Sequence, residues 1–267
     1  MLFASDVEVI ASLKRSSEMI VAVHEKSEAE ILEALRGLGC QTVEAFHQDA
    51  LDAYACTQAD RQWFLFQGSK DVRDWLTNLN YGFVRVPGFG RVHRGFYESF
   101  ERNWQDVASF IARNDTGLPI EIGGHSNGAA TATLFTKSLF GFTRGRIEKL
   151  TTLGAPCVGN DEFAASFPAI PVVRVVYAAD AVPRLNEKLP AQQAAHIGTL
   201  FFFDPILGLR IAPSGGFVIA RTVLRLAMAG PLAAFGDHSP ELYARAAQDA
   251  TLGNFKGIIE DRPSTAR

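Results

Sequence analysis

Ser126 stands between two glycines in the stretch Gly124-His125-Ser126-Asn127-Gly128. The alternating apolar residues Leu118, Ile120 and Ile122 precede it, and Ala130, Leu134 and Phe135 follow at helical spacing. A serine on a sharp strand-to-helix turn has its hydroxyl lifted clear of the sheet. The helix points its positive end at the same spot, so this G-x-S-x-G arrangement presents a weak oxygen nucleophile for acyl transfer. The bland alternative is a hydroxyl in a glycine-rich loop; the flanking strand and helix signals favour the nucleophile.

A serine needs a base and the base needs an orienting acid, and behind a turn of this kind the chain order is Ser, then Asp or Glu, then His. Two histidines follow Ser126. His196, in QAAHIGTLFFFD, reads as a hydrogen-bonded histidine at a strand start. His238, in FGDHSPELYARA, sits in a polar turn ahead of a helix, where a loop can present an imidazole. For the acid, Asp180 in VVRVVYAADAVPRL follows an apolar strand-like run and precedes Pro183, which places it in a loop at a strand's carboxyl end, where ligands gather in open α/β sheets. Asp161, Asp204 and Asp237 compete. Asp161 reads as a helix start, and Asp237 adjoins His238, so the two side chains are expected to diverge. The oxyanion of an acyl-transfer intermediate needs two donors: the backbone N–H of Asn127 is one, and Ser69, after the strand-ending Gly68, is the candidate for the other. Trp75 and His125 are candidate substrate contacts. The scheme requires no metal and no organic cofactor.

Elements must hold these groups in place. Ser5 with Glu8, and Ser27 with Glu30, have capping-box spacing, so residues 1–40 read as amino-terminal helices, with Gly37 and Gly39 closing the second. QTVEAFHQ, LDAYACTQ and RQWFLFQG read as a meander of strands. Thereafter the pattern alternates: a helix over 96–113, a strand at 118–123, a helix from 126, a strand at 147–153, a short helix at 160–166 and a strand at 171–177. The alternation predicts a single α/β domain over 1–267, its central sheet mostly parallel and covered by helices on both faces.

Composition narrows the partners. Hydrophobic residues make up 47% of the 267 residues and support a sizeable core, while 26 basic against 29 acidic residues leave no footprint for nucleic acid. The three cysteines are widely spaced and form no metal or dithiol motif. The start MLFASDVEVI lacks a basic region followed by an apolar one, so the chain as given reads as cytoplasmic or leaderless, with secretion left open. The most apolar segment, GGFVIARTVLRLAMAG at 215–230, is interrupted by Arg221 and Arg225 and stopped by Pro231. It is too short and too charged to span a bilayer and reads first as a buried helix, with a wall of the acyl pocket or a lipid-surface contact as the alternatives.

The ordered blocks FQGSKDVRDWLTNLNY, VHRGFYESF, IGGHSNGAA, TLGAPCVGNDEFAASF, RVVYAADAVPRL, HIGTLFFFD and DHSPELY resemble the fungal-type class 3 triacylglycerol lipases, a group that includes feruloyl esterases. The resemblance implies an α/β-hydrolase fold and carboxylic ester hydrolysis, most naturally of acylglycerols. Its rivals are a phospholipase A1, a short-chain or aryl esterase, or a non-catalytic binding protein on the same fold. It implies Ser126 as nucleophile, Asp180 as acid, His238 as base and Ser69 with Asn127 as oxyanion donors. The chain departs from the pattern at Gln67, Asn127 and Ala129, where relatives favour arginine, leucine and glycine. The resemblance also implies a lid after the oxyanion residue. Val72, Trp75, Leu76 and Leu79 fall at i, i+3, i+4 and i+7 and make 69–80 the candidate. An ester or lipid substrate, with transient contact to a lipid interface, is the implied partner.

Overall fold

The computed structural model describes residues 6–24, 27–48, 51–68, 82–184 and 194–250. Ser69, Trp75 and the 69–80 lid candidate lie outside the described residues.

The amino-terminal helices are α1 (Asp6–Ala22) and α2 (Glu28–Gly37). At the start of α2 the Ser27 side chain accepts from the Glu30 N–H while the Glu30 carboxylate accepts from the Ser27 N–H, so the expected capping box is formed. Three antiparallel strands follow, β1 (Thr42–Gln48), β2 (Leu51–Thr57) and β3 (Gln62–Phe66). From β3 the sheet turns parallel, through β6 (Ile120–His125), β7 (Ile147–Leu153), β9 (Val172–Tyr177) and β11 (Thr199–Asp204), and ends on the antiparallel edge β12 (Gly208–Ile211). The eight-stranded order is β1-β2-β3-β6-β7-β9-β11-β12.

Both faces of this sheet are covered, and the period of two shows why. On β3, Trp63 and Leu65 join the core beneath α1 and α2, while Phe64 and Phe66 join the opposite core. That second core is roofed by α3 (Arg94–Arg113) and α4 (Asn127–Leu139). In α3, Phe96, Phe100, Asn103, Val107, Phe110 and Ile111 recur at helical spacing and are buried, which fixes the side that faces the sheet. Phe135 of α4 stacks on Phe66 at 5.3 Å and meets Phe100 edge-on at 4.9 Å, locking helix, helix and strand beneath the Ser126 turn.

A small second sheet, in the order β10-β8-β5-β4, was not expected from the sequence. It joins β4 (Phe83–Val86), β5 (Gly90–His93), β8 (Gly159–Asn160) and β10 (Ala194–Ala195). The two-residue β8 leads into α5 (Asp161–Ala165), which Asp161 starts as expected and Asn160 caps: the Asn160 side chain accepts from the Phe163 N–H.

The apolar segment at 215–230 corrects an expectation. It forms α6 (Gly215–Ala229), followed by α7 (Ala233–Gly236) and α8 (Pro240–Gln248), yet no residue of α6 is buried. Its arginines point inward, Arg221 to Asp204 and Arg225 to Asp237, and this turns the aliphatic side chains outward. Among the described residues no helix is long and apolar enough to cross a membrane.

Candidate active site

Ser126 sits between the last residue of β6 and the first of α4, with φ 57° and ψ −126°. A non-glycine residue in this region is strained, and the strain is held by tight backbone packing. A Cβ at Gly124 would come within 2.5 Å of the Gly128 carbonyl, and one at Gly128 within 2.3 Å of the Phe66 oxygen, so the motif's glycines are places where backbones touch. Ser126 donates its N–H to the Leu153 oxygen at 3.0 Å, tying the turn to the carboxyl end of β7. The Asn127 N–H is the first of α4, at the positive end of the helix.

Asp180 and His238 are 58 residues apart in sequence and meet in a buried hydrogen bond, in which His238 Nδ1–H donates to Asp180 Oδ2 at 2.7 Å. Asp180 follows β9 by three residues and is fully buried, so its charge has to be met by donors. It receives three: His238 Nδ1, the Tyr243 hydroxyl at 2.5 Å on the same oxygen, and the Val182 N–H at 2.9 Å on Oδ1. Tyr243 is itself oriented by accepting from the Tyr177 N–H at 3.1 Å. Burial and the adjacent Asp180 carboxylate push the Tyr243 phenol well above its usual range, so it stays a donor.

Gly154, with φ +58°, leaves room for this pair, since a Cβ there would lie 2.9 Å from both Asp180 Oδ2 and His238 Cε1. Sequence reasoning passed over Tyr243 and Gly154, although both lie in the quoted blocks DHSPELY and TLGAP.

His125 takes a different position from the expected substrate contact. It is buried between His24 and His238, with ring centroids 4.9 Å and 4.6 Å away. Its Nε2–H donates to the His238 carbonyl at 2.9 Å, so the residue before Ser126 holds the backbone of His238. Burial, with His238 and His24 alongside, pushes the His125 pKa well below the ordinary imidazole range. His93 is likewise pushed down, to about 4, by burial.

These two shifts have one sign. The unfolded chain binds the protons that the folded chain refuses, so their stabilising contribution is complete above the unfolded value of about 6.5 and is lost as pH falls below it. Urea midpoints should therefore drop between pH 7 and pH 4, and the drop should be smaller in His93→Phe. Equal losses in the two proteins would contradict the buried neutral His93.

The competing groups have other tasks. His196 commits Nε2–H to the Pro183 oxygen at 2.7 Å. Asp237 diverges from His238, taking Arg225 Nη2 at 2.7 Å and the Ala179 N–H at 3.0 Å. Asp204 accepts from the Ile206 and Leu207 N–H groups and pairs with Arg221.

Ser126 Oγ and His238 Nε2 are both buried and make no hydrogen bond among the described residues. They are the two atoms that a nucleophile and base would join, and such contacts often tighten only with substrate bound. Gly68, two residues beyond β3, lies against Ser126, where a Cβ would stand 3.4 Å from the serine Cβ. The residue after it is Ser69.

A parallel sheet that delivers a strained serine turn, with an Asp–His pair from later loops at the same strand ends, defines the α/β-hydrolase class. Within the chain, residues 63–189 match the family described as Lipase (class 3). The chain is 34% identical to secreted mono- and diacylglycerol lipase 1 of Fusarium solani over 149 residues, 51% of this chain and 43% of that one. It is 29% identical to the chloroplastic phospholipase A1 PLIP2 of Arabidopsis thaliana, over 48% of this chain and 20% of that one. It thus spans less than half the length of either relative. The structure of lipase II from Rhizopus niveus superposes with a TM-score of 0.60 at 20% identity, covering 74% of this chain and 82% of that one, a likeness of fold.

Proposed function

We propose that this chain is a serine ester hydrolase acting on acylglycerols. His238 Nε2 takes the proton of Ser126, the alkoxide attacks the ester carbonyl, and the N–H groups of Asn127 and Ser69 hold the oxyanion. The His238 imidazolium then returns the proton to the departing alcohol. Water, activated by the same base, frees the acid from the acyl-serine. Asp180 keeps the proton of neutral His238 on Nδ1, so that Nε2 is the basic end, and stabilises the imidazolium without being protonated.

The observation that carries this reading is the buried His238–Asp180 bond beside a serine held at positive φ. Ser126 is fully buried, so an ester carbonyl reaches Oγ only after covering atoms move aside. Acylglycerols are preferred because the Fusarium solani relative is described as a mono- and diacylglycerol lipase. The Arabidopsis thaliana relative favours phospholipase A1 activity as the second reading. The cytoplasmic expectation finds no support among the relatives; the Fusarium solani protein is described as secreted, and we carry that placement to this chain.

Hydrolysis of dioleoylglycerol, dioleoylphosphatidylcholine and p-nitrophenyl esters from acetate to palmitate separates the readings. Faster release from the diacylglycerol is the expected result. Preference for phosphatidylcholine would favour the phospholipase, and preference for acetate without gain at an oil–water interface would favour a short-chain esterase.

A further inference from the structure

From Gly215 to Gly236 every exposed residue is apolar or a glycine. Ile219 and Met228 are each 66% exposed, Val223 61%, and Leu232, in the turn between α6 and α7, 73%. The polar side chains of the same stretch all face the protein: Arg221 pairs with Asp204, Arg225 with Asp237, and Thr222 accepts from Arg184 at 2.6 Å. The helix is amphipathic in the inverted sense, with its charges spent inside and its hydrocarbon turned out. The ion pairs hold the helix this way round at the cost of leaving hydrocarbon in water, and an apolar face of this kind marks a contact.

We infer that the outer face of α6 and α7 is a docking surface for a neutral lipid aggregate. A protein partner, including a second copy, normally adds about one hydrogen bond per 100–200 Å² and a polar rim. Among the described residues, the exposed side chains from Gly215 to Gly236 carry no donor or acceptor with which to make such bonds. Anionic membranes are recognised through exposed Lys and Arg, and both arginines here are committed inward. Uncharged lipid asks for nothing beyond the hydrocarbon on offer.

The face is also bolted to the catalytic loops. Arg225 grips Asp237, which precedes His238; Asp237 accepts from Ala179, which precedes Asp180; and the Ala181 N–H donates to the Ala234 oxygen of α7 at 3.0 Å. Lipid seated on the outer face of α6 is therefore one helix away from the segment that carries the acid and base. The identity of the lipid as acylglycerol rests on the ester-hydrolase reading.

The test is flotation of the full chain, as Ser126→Ala so that nothing is consumed, with phosphatidylcholine-coated trioleoylglycerol droplets and with phosphatidylserine vesicles. A triple variant, Ile219→Ser with Val223→Ser and Met228→Ser, is floated beside it. Bound protein should fall about 10-fold or more in the triple variant, since three aliphatic contacts are lost. The same three changes in the Ser126 protein should leave turnover of water-soluble p-nitrophenyl butyrate unchanged, which also reports that the variant folds. Equal flotation of the two proteins, binding confined to phosphatidylserine, or a dimer that the triple variant dissolves would each overturn the assignment. An inactive Ser126 protein that still floats would sink the hydrolase reading and leave the docking face standing.

Discussion

Ser126→Ala should lower ester turnover by about 10⁵-fold or more, because a nucleophile that works with its base as a unit cannot be lost in part. Stability should not follow. Ser126 Oγ is buried and makes no hydrogen bond among the described residues, so alanine removes a polar atom without a partner there, at a position whose positive φ both residues strain equally. The thermal midpoint is expected to stay level or rise, by up to about 1 kcal/mol of added stability. Activity and stability moving in opposite directions is the signature of a functional serine; a structural serine would lose both together. Scanning calorimetry beside p-nitrophenyl butyrate hydrolysis reads the two quantities on the same preparations.

The second large effect separates the histidines. His238→Ala should cost about 10⁴-fold or more in kcat, while His196→Ala should cost less than about 10-fold, since His196 Nε2 is already bonded to the Pro183 carbonyl. Asp180→Asn should lower kcat by about 10⁴-fold, because an amide facing Nδ1 stabilises the wrong tautomer. These losses should appear in kcat with KM little changed, measured on a soluble ester so that interface binding does not enter. A His196→Ala protein as inactive as His238→Ala would reverse the assignment of the base.

What could be read in the chain, and what could not, follows from the range of each signal. The Ser126 turn is local: the strand period before it, the helical period after it and the glycines between occupy eighteen residues, and the structure has β6 ending at His125 and α4 starting at Asn127. The convergence of Asp180 and His238 is not local, and only the required order along the chain pointed to it. The small second sheet gave no readable pattern, because β8 and β10 are two residues long and no period exists in two residues.

Tyr243 illustrates a different limit. A tyrosine on a helix reads as core, and nothing in its spacing tells that its hydroxyl completes the shell of Asp180. His125 does the same, since the residue before a nucleophile reads as a substrate neighbour until its ring is seen holding the His238 carbonyl.

Segment 215–230 was misread for a physical reason. Periodicity tells which residues share a helix face; it does not tell which face turns inward. Arg221 and Arg225 fall on one face, as their spacing requires, but that face meets Asp204 and Asp237, and two buried-side ion pairs outweigh the pull of the aliphatic residues toward the core. The acids that decide the orientation lie outside the helix.

The most direct test of the central claim is active-site titration with a fluorophosphonate ester, followed by mass spectrometry of the labelled peptide. The account predicts one phosphonyl group per chain, on Ser126, formed at the rate at which activity is lost, and labelling slowed by about 10⁴-fold in His238→Ala. Full activity after labelling is complete, or a label on any residue other than Ser126, would contradict it.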